Sequence, residues 1–274
     1  MSSRKIPRLA VIGAGKMGSI LLQALMAERF VTPSQVQATV KHAEKAARLA
    51  REMGVAVGTD NRAAVRKSDI ILLAVKPQTV AEVLEQVRPE IDAGKLLISV
   101  VASVPTTYIE NRVAPGVPVV RAMPNTPALV RTGMTALCGG AAARDAHLQT
   151  AQRLFAAVGH TLILDEKHMD AVTALSASGP AYLYIILESL AEAGVKVGLP
   201  RDQATMLAAH TMLGAARMVI DTGDHPALLK DAVTTPAGCT IDGILELEEG
   251  KLRVTLIKAV VKACLRAREL LVAE

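Results

Sequence analysis

Leu9-Ala10-Val11-Ile12-Gly13-Ala14-Gly15-Lys16-Met17-Gly18 decides how this chain is read. Four consecutive apolar residues run into a G-x-G-x-x-G turn, and residues 17–28 then carry a helical pattern. In such a strand–turn–helix the first glycine makes the tight turn and the second lets backbone approach a pyrophosphate. The third lets helix and strand pack closely. The free N–H groups that open the helix suit phosphate. Gly13, Ala14, Gly15, Lys16, Met17 and Gly18 are therefore candidate dinucleotide-binding residues, and the context of the turn carries more weight than the motif alone.

Outward from this stretch, short apolar runs alternate with helical patterns. Strands are expected at 9–12, 36–40, 55–57, 70–75, 96–101, 117–121, 134–137 and 161–164. Helices are expected at 17–28, 43–53, 80–87, 106–112 and 148–157. The alternation predicts βαβ units and a parallel, doubly wound sheet at least through the first five strands, within an α/β Rossmann-like domain over residues 1–165. Beyond Asp165 the strands stop. Helical patterns at 169–176, 181–197, 201–221, 226–233, 241–249 and 252–271 predict an all-helical second domain over 166–274. Gly179-Pro180, Gly198-Leu199-Pro200, Thr222-Gly223 and Pro236-Ala237-Gly238 separate them, as residues that break helices do.

Composition narrows the function. Of 274 residues, 51% are apolar but only 2% aromatic, with no tryptophan, so the core is aliphatic. The run from Ile70 stops at Lys76, far short of the about 20 apolar residues a bilayer span needs. The basic start, Met1 to Arg8 with Pro7, lacks the apolar segment of a secretory signal. Cys138, Cys239 and Cys264 are odd in number and far apart, which disfavours a disulfide framework or a zinc ribbon and fits a reducing cytoplasm. The net charge of +5 is scattered, with no basic stripe or stacking aromatics for nucleic acid.

The second strand decides which dinucleotide. NAD-preferring sites place a carboxylate at its end, whereas here Ala38-Thr39-Val40-Lys41-His42 holds none before Glu44. Thr39, Lys41 and His42 are candidates to hold a 2′-phosphate, so NADPH is expected over NADH. An ordinary solvated loop is the alternative for Lys41 and His42. Asn61 is a polar candidate in the loop after Val57. Ala74, Lys76 and Pro77 close the fourth strand and Ala102 closes the fifth, at the carboxyl ends where ligands of open α/β sheets lie.

Five further stretches join these: Arg121-Ala122-Met123-Pro124-Asn125-Thr126-Pro127, Ser178-Gly179-Pro180-Ala181-Tyr182, Gly194-Val195-Lys196-Val197-Gly198-Leu199-Pro200, Thr234-Thr235-Pro236-Ala237-Gly238-Cys239-Thr240 and Leu247-Glu248-Glu249-Gly250. In order and spacing, with the glycine turn and Ala74-Val75-Lys76-Pro77, they resemble the pyrroline-5-carboxylate reductase family over nearly the whole chain. The resemblance implies NAD(P)H-dependent reduction of Δ1-pyrroline-5-carboxylate to proline and a helical domain that interlocks with a second subunit, the dimers often forming rings. It also places Asn125 beside the cofactor and Thr235, Ala237, Gly238, Cys239 and Thr240 around the substrate, with Thr240 reaching it. A helix expected from near Ile241 would offer N–H groups to the substrate carboxylate. A protonated imine is already electrophilic, so orientation against the nicotinamide suffices and no strong general acid is required.

Ala177 and Ala237 stand where many relatives have glycine. A methyl at Ala237 is expected to oppose a positive φ. Cys239 is either a reactive thiol or a small gap-filling side chain. Two other functions remain open from sequence alone: a reductase of another cyclic imine, and a non-catalytic NADP(H)-binding protein. A β-hydroxyacid dehydrogenase is disfavoured, because residues 181–194 lack the catalytic Lys and Asn of that chemistry.

Overall fold

The computed structural model describes residues 7–270. Eight strands form one sheet: β1 Leu9–Ile12, β2 Val36–Thr39, β3 Ala56–Gly58, β4 Ile70–Leu73, β5 Leu96–Ser99, β6 Val119–Met123, β7 Gly133–Gly139 and β8 Gly159–Ile163. Their spatial order is β3-β2-β1-β4-β5-β6-β7-β8. All neighbours pair in parallel except β6 and β7. The order reverses direction between β1 and β4, the switch point beyond which doubly wound sheets bind ligands.

The helices on this sheet are α1 Lys16–Ala27, α2 Ala43–Met53, α3 Asn61–Arg66, α4 Val80–Val87, α5 Thr106–Glu110, α6 Asp145–Ala156 and the short α7 Met169–Val172. Alternate residues of β1 point to opposite faces, as the strand period requires. Leu9 and Val11 join Leu21, Leu25, Leu49 and Phe155 in one apolar layer. Ala10 and Ile12 join Val65, Leu84 and Ile109 in the other. Helices thus cover both faces, which explains the unbroken apolar runs of the central strands.

The chain divides into two compact units, one running through Ala177 and including the chain from Ala263, the other spanning Ser178–Lys262. The second is helical: α8 Gly179–Lys196, α9 Arg201–Thr222, α10 Pro226–Val233, α11 Cys239–Glu249 and most of α12 Leu252–Glu269. Among its described residues only alanines are buried, Ala191, Ala204 and Ala208. Small residues bring α8 and α9 close, for a Cβ added at Gly194 would lie 2.9 Å from that of Ala204. Its large apolar side chains face outward, with Leu213 63% and Ile220 68% exposed. No helix among the described residues is long and apolar enough to cross a membrane.

Three expectations need correction. Asn61 opens a helix rather than lying in a loop, and the Asp60 carboxylate caps that helix by accepting from the Ala63 N–H at 3.0 Å. The last helix of the signature starts at Cys239, with Gly238 as its N-cap, so Cys239 and Thr240 stand in its first turn. Ala237 adopts φ +57° despite its methyl.

Candidate active site

The glycine turn hangs from the end of β2. The Gly13 and Ala14 N–H groups donate to the Thr39 carbonyl at 3.1 and 2.7 Å, and the Gly15 N–H donates to the Gly13 carbonyl at 2.7 Å. Gly13 has φ +88°, and a Cβ there would sit 2.8 Å from Val75 Cγ1 and 2.9 Å from the Ala74 carbonyl oxygen. At Gly18 it would lie 2.7 Å from the Gly13 carbonyl oxygen. Both glycines are demanded by the protein's own packing. Gly15 is different. Its backbone is extended, φ −79° and ψ −153°, and a Cβ would meet nothing closer than the Gly13 carbonyl oxygen at 3.9 Å. Its missing side chain leaves open room where the free end of α1, which no side chain caps, faces outward. A phosphate fits that cradle. Ala14 is fully buried and contributes only backbone, Met17 is half-buried against the core, and Lys16 is exposed.

Thr39 is only 2% exposed, and its hydroxyl donates to Asn61 Oδ1 at 2.7 Å. Asn61 Nδ2 in turn donates to Gln86 Oε1 at 3.0 Å. The Thr39 side chain thus braces the turn from beneath. Lys41 and His42 are exposed, and no carboxylate stands between β2 and α2. At the end of β4 the Ala74 N–H donates to the Ile12 carbonyl at 2.8 Å, tying that loop to the glycine turn. Lys76 is exposed, and Pro77 starts a short 3-10 turn.

Ala102 and Ser103 follow β5, and Ser103 takes the left-handed region at φ +63°. Beyond β6, Asn125 is engaged within the chain. Its Nδ2 donates to the Ser176 carbonyl at 3.3 Å, and its Oδ1 accepts from the Met134 N–H at 2.9 Å. Sequence reading passed over a polar cluster beside these residues. Arg121, in the middle of buried β6, has Nη1 3.3 Å from Glu166 Oε1, and Glu166 accepts twice from Thr106. An arginine inside the apolar run Val119-Val120-Arg121-Ala122-Met123 was the available signal. Burial, and secondarily the nearby Glu166, push the Cys138 thiol up to about 12, so it stays protonated and unreactive.

In the helical unit, Thr235-Pro236-Ala237-Gly238 forms a β-turn closed by the Gly238 N–H donating to the Thr235 carbonyl at 3.0 Å. Proline at the second position and positive φ at the third make it type II. A Cβ at Gly238 would collide with Thr235 Oγ1, so the turn admits no larger residue there without moving. The turn delivers Cys239 and Thr240 to the start of α11, which again lacks a side-chain cap. Cys239 is exposed and unbonded to another cysteine, and Thr240 is half-buried.

A glycine turn at the switch point of a sheet whose first six strands run 3-2-1-4-5-6 is the architecture of the dinucleotide-binding class. Residues 8–103 match the family described as NADP oxidoreductase, coenzyme F420-dependent, and residues 166–270 match pyrroline-5-carboxylate reductase dimerisation. A Methanosarcina acetivorans pyrroline-5-carboxylate reductase is 43% identical over 263 residues, 96% of this chain and 97% of that one. A Coxiella burnetii pyrroline-5-carboxylate reductase structure superposes with TM-score 0.88 at 34% identity, covering 97% of this chain and 99% of that one. A Plasmodium falciparum pyrroline carboxylate reductase solved with NADP bound gives TM-score 0.88 at 30% identity, with 97% and 98% covered. The chain belongs to the pyrroline-5-carboxylate reductase family.

Proposed function

We propose that this chain carries out its family's reaction with the glycine cradle and the Thr235–Thr240 turn as its two working parts. The reaction is NAD(P)H-dependent reduction of the ring C=N of Δ1-pyrroline-5-carboxylate, giving proline. The single observation that carries the cofactor half is Gly15, a glycine whose side-chain space nothing in the protein fills.

The cofactor, when bound, supplies hydride from its nicotinamide ring. The cradle Gly13, Ala14, Gly15, Lys16, Met17 and Gly18 holds the pyrophosphate by backbone N–H groups. Lys41 and His42 draw in the 2′-phosphate, so NADPH is preferred over NADH. Thr39, Asn61 and Asn125 border the cofactor, their side chains fixed by inward hydrogen bonds. Ala74, Lys76, Pro77 and Ala102 border the rest of the cofactor. On the substrate side, Thr235, Ala237, Gly238 and Cys239 shape the pocket, and N–H groups at the start of α11 receive the carboxylate. The Thr240 hydroxyl orients the imine ring.

Residues 1–165 form the cofactor domain and 166–274 the domain for substrate and dimerisation. The protein works as a homodimer that assembles further into a ring, a mass that light scattering reads directly. It resides in the cytoplasm, free of membrane and nucleic acid.

Substitution of Thr240 tests the substrate half. Thr240→Ala removes one hydrogen-bonding group, so we expect kcat/KM to fall about ten- to a hundredfold, roughly 1–3 kcal/mol, with NADPH binding intact. Thr240→Ser should recover much of the loss. Steady-state kinetics with unchanged kcat/KM for Thr240→Ala would remove Thr240 from the site.

A further inference from the structure

The turn after β5 places two unfavourable features in one residue. Ser103 is a non-glycine at φ +63°, and its buried hydroxyl finds no hydrogen-bond partner among the described residues. A left-handed serine is disfavoured relative to ordinary conformations and persists where its surroundings hold it. An orphaned buried hydroxyl adds to that cost.

What holds it lies three residues on. Thr106 opens α5 and is itself buried. Its N–H donates to Glu166 Oε1 at 2.7 Å and its hydroxyl donates to Glu166 Oε2 at 2.6 Å. Between Ser103 and Thr106 stand only Val104, fixed in the core, and Pro105, whose ring fixes its φ at −73°. Little slack separates the grip at Thr106 from the strained residue. Glu166 is backed by the Arg121 guanidinium, whose side chain is 4% exposed. Asp170 lies 3.6 Å from Arg121 Nη2, yet Nε and Nη2 have no hydrogen-bond partner among the described residues. A buried guanidinium so incompletely satisfied contributes poorly to stability, which argues that its value lies elsewhere.

We propose that Glu166, backed by Arg121, is a positioning residue for the reaction. It clamps Thr106 and so keeps the Ala102 and Ser103 backbone in the left-handed turn that borders the dinucleotide. Glu166 acts through Thr106. The inference rests on the dinucleotide reading given above, since the turn lies at the carboxyl end of β5, one strand from the switch point.

NADPH binding to the full-length protein, followed by nicotinamide fluorescence, tests the clamp independently of turnover. Without the clamp a serine leaves the left-handed region, whereas a glycine populates it freely. Glu166→Ala should raise the NADPH Kd about tenfold in the wild-type background. In the Ser103→Gly background the same change should cost only about twofold, a coupling that a merely structural role would not produce. Thr106→Val keeps shape and removes one hydroxyl bond, and so serves if loss of Glu166 prevents folding. It should weaken NADPH about threefold, again less in the Ser103→Gly background. Unchanged Kd in these variants, or equal losses in both backgrounds, would overturn the clamp while leaving the dinucleotide site standing. Wild-type protein that binds no NADPH would overturn both.

Discussion

Gly15 and Gly18 stand in one turn and are glycine for different reasons. Gly18 answers to the protein, because a methyl would lie 2.7 Å from the Gly13 carbonyl oxygen. Gly15 has no such neighbour, the nearest atom to an added methyl lying 3.9 Å away, and under the proposed function it answers to the ligand. Gly18→Ala should therefore lower the melting temperature of cofactor-free protein, at a cost of about 1–3 kcal/mol for overpacking. Gly15→Ala should leave that melt unchanged or slightly raised, since its backbone suits alanine and the unfolded chain loses entropy. Its NADPH affinity should fall at least about tenfold, or about 1.4 kcal/mol. An NADPH titration of Gly15→Ala matching wild type would break the argument. The motif was fully legible in sequence. The inward turn of Thr39 and Asn125 was not, because their partners Asn61 and Ser176 lie 22 and 51 residues away. Side-chain direction there is set by tertiary neighbours.

At the scale of elements, hydrophobic period located most strands and helices to within a few residues, and α2, α4 and α10 match their expected bounds. The six-residue α3 was missed because it is too short to show a period, though Asp60 offered a capping signal. The antiparallel pairing of β6 with β7 lies beyond the five strands for which a parallel sheet was expected, and period alone does not encode direction. It follows from the short link between Met123 and Gly133, which cannot make a parallel crossover. The type II turn at Thr235–Gly238 shows the opposite limit, a residue chosen against local preference. Left-handed alanine costs about 1–2 kcal/mol, while glycine adds only about 0.4–1 kcal/mol of unfolded-state entropy. Ala237→Gly should therefore stabilise the protein, by up to about 1.6 kcal/mol. A urea midpoint below that of wild type would contradict a strained turn.

Taken whole, the chain pairs a self-sufficient α/β unit with a helical one that is not. Large side chains fill both layers around the sheet, whereas the described helices α8 to α11 bury only alanines. Exposed Leu213, Ile220 and Leu228 are surface that one copy leaves in water, and the matched dimerisation family covers this half. Aliphatic richness made this half's apolar excess visible in sequence. Composition could not say how many copies cover it, since that depends on the geometry between subunits. The central claim is that this molecule reduces Δ1-pyrroline-5-carboxylate. Its most direct test is loss of NADPH absorbance on addition of that imine, with product identified, beside arms containing NADH, a pyrroline-2-carboxylate or a six-membered cyclic imine. The account predicts proline in step with NADPH consumed, fastest with the 5-carboxylate and faster with NADPH than NADH. No imine-dependent oxidation, or faster reduction of another ring, would contradict it.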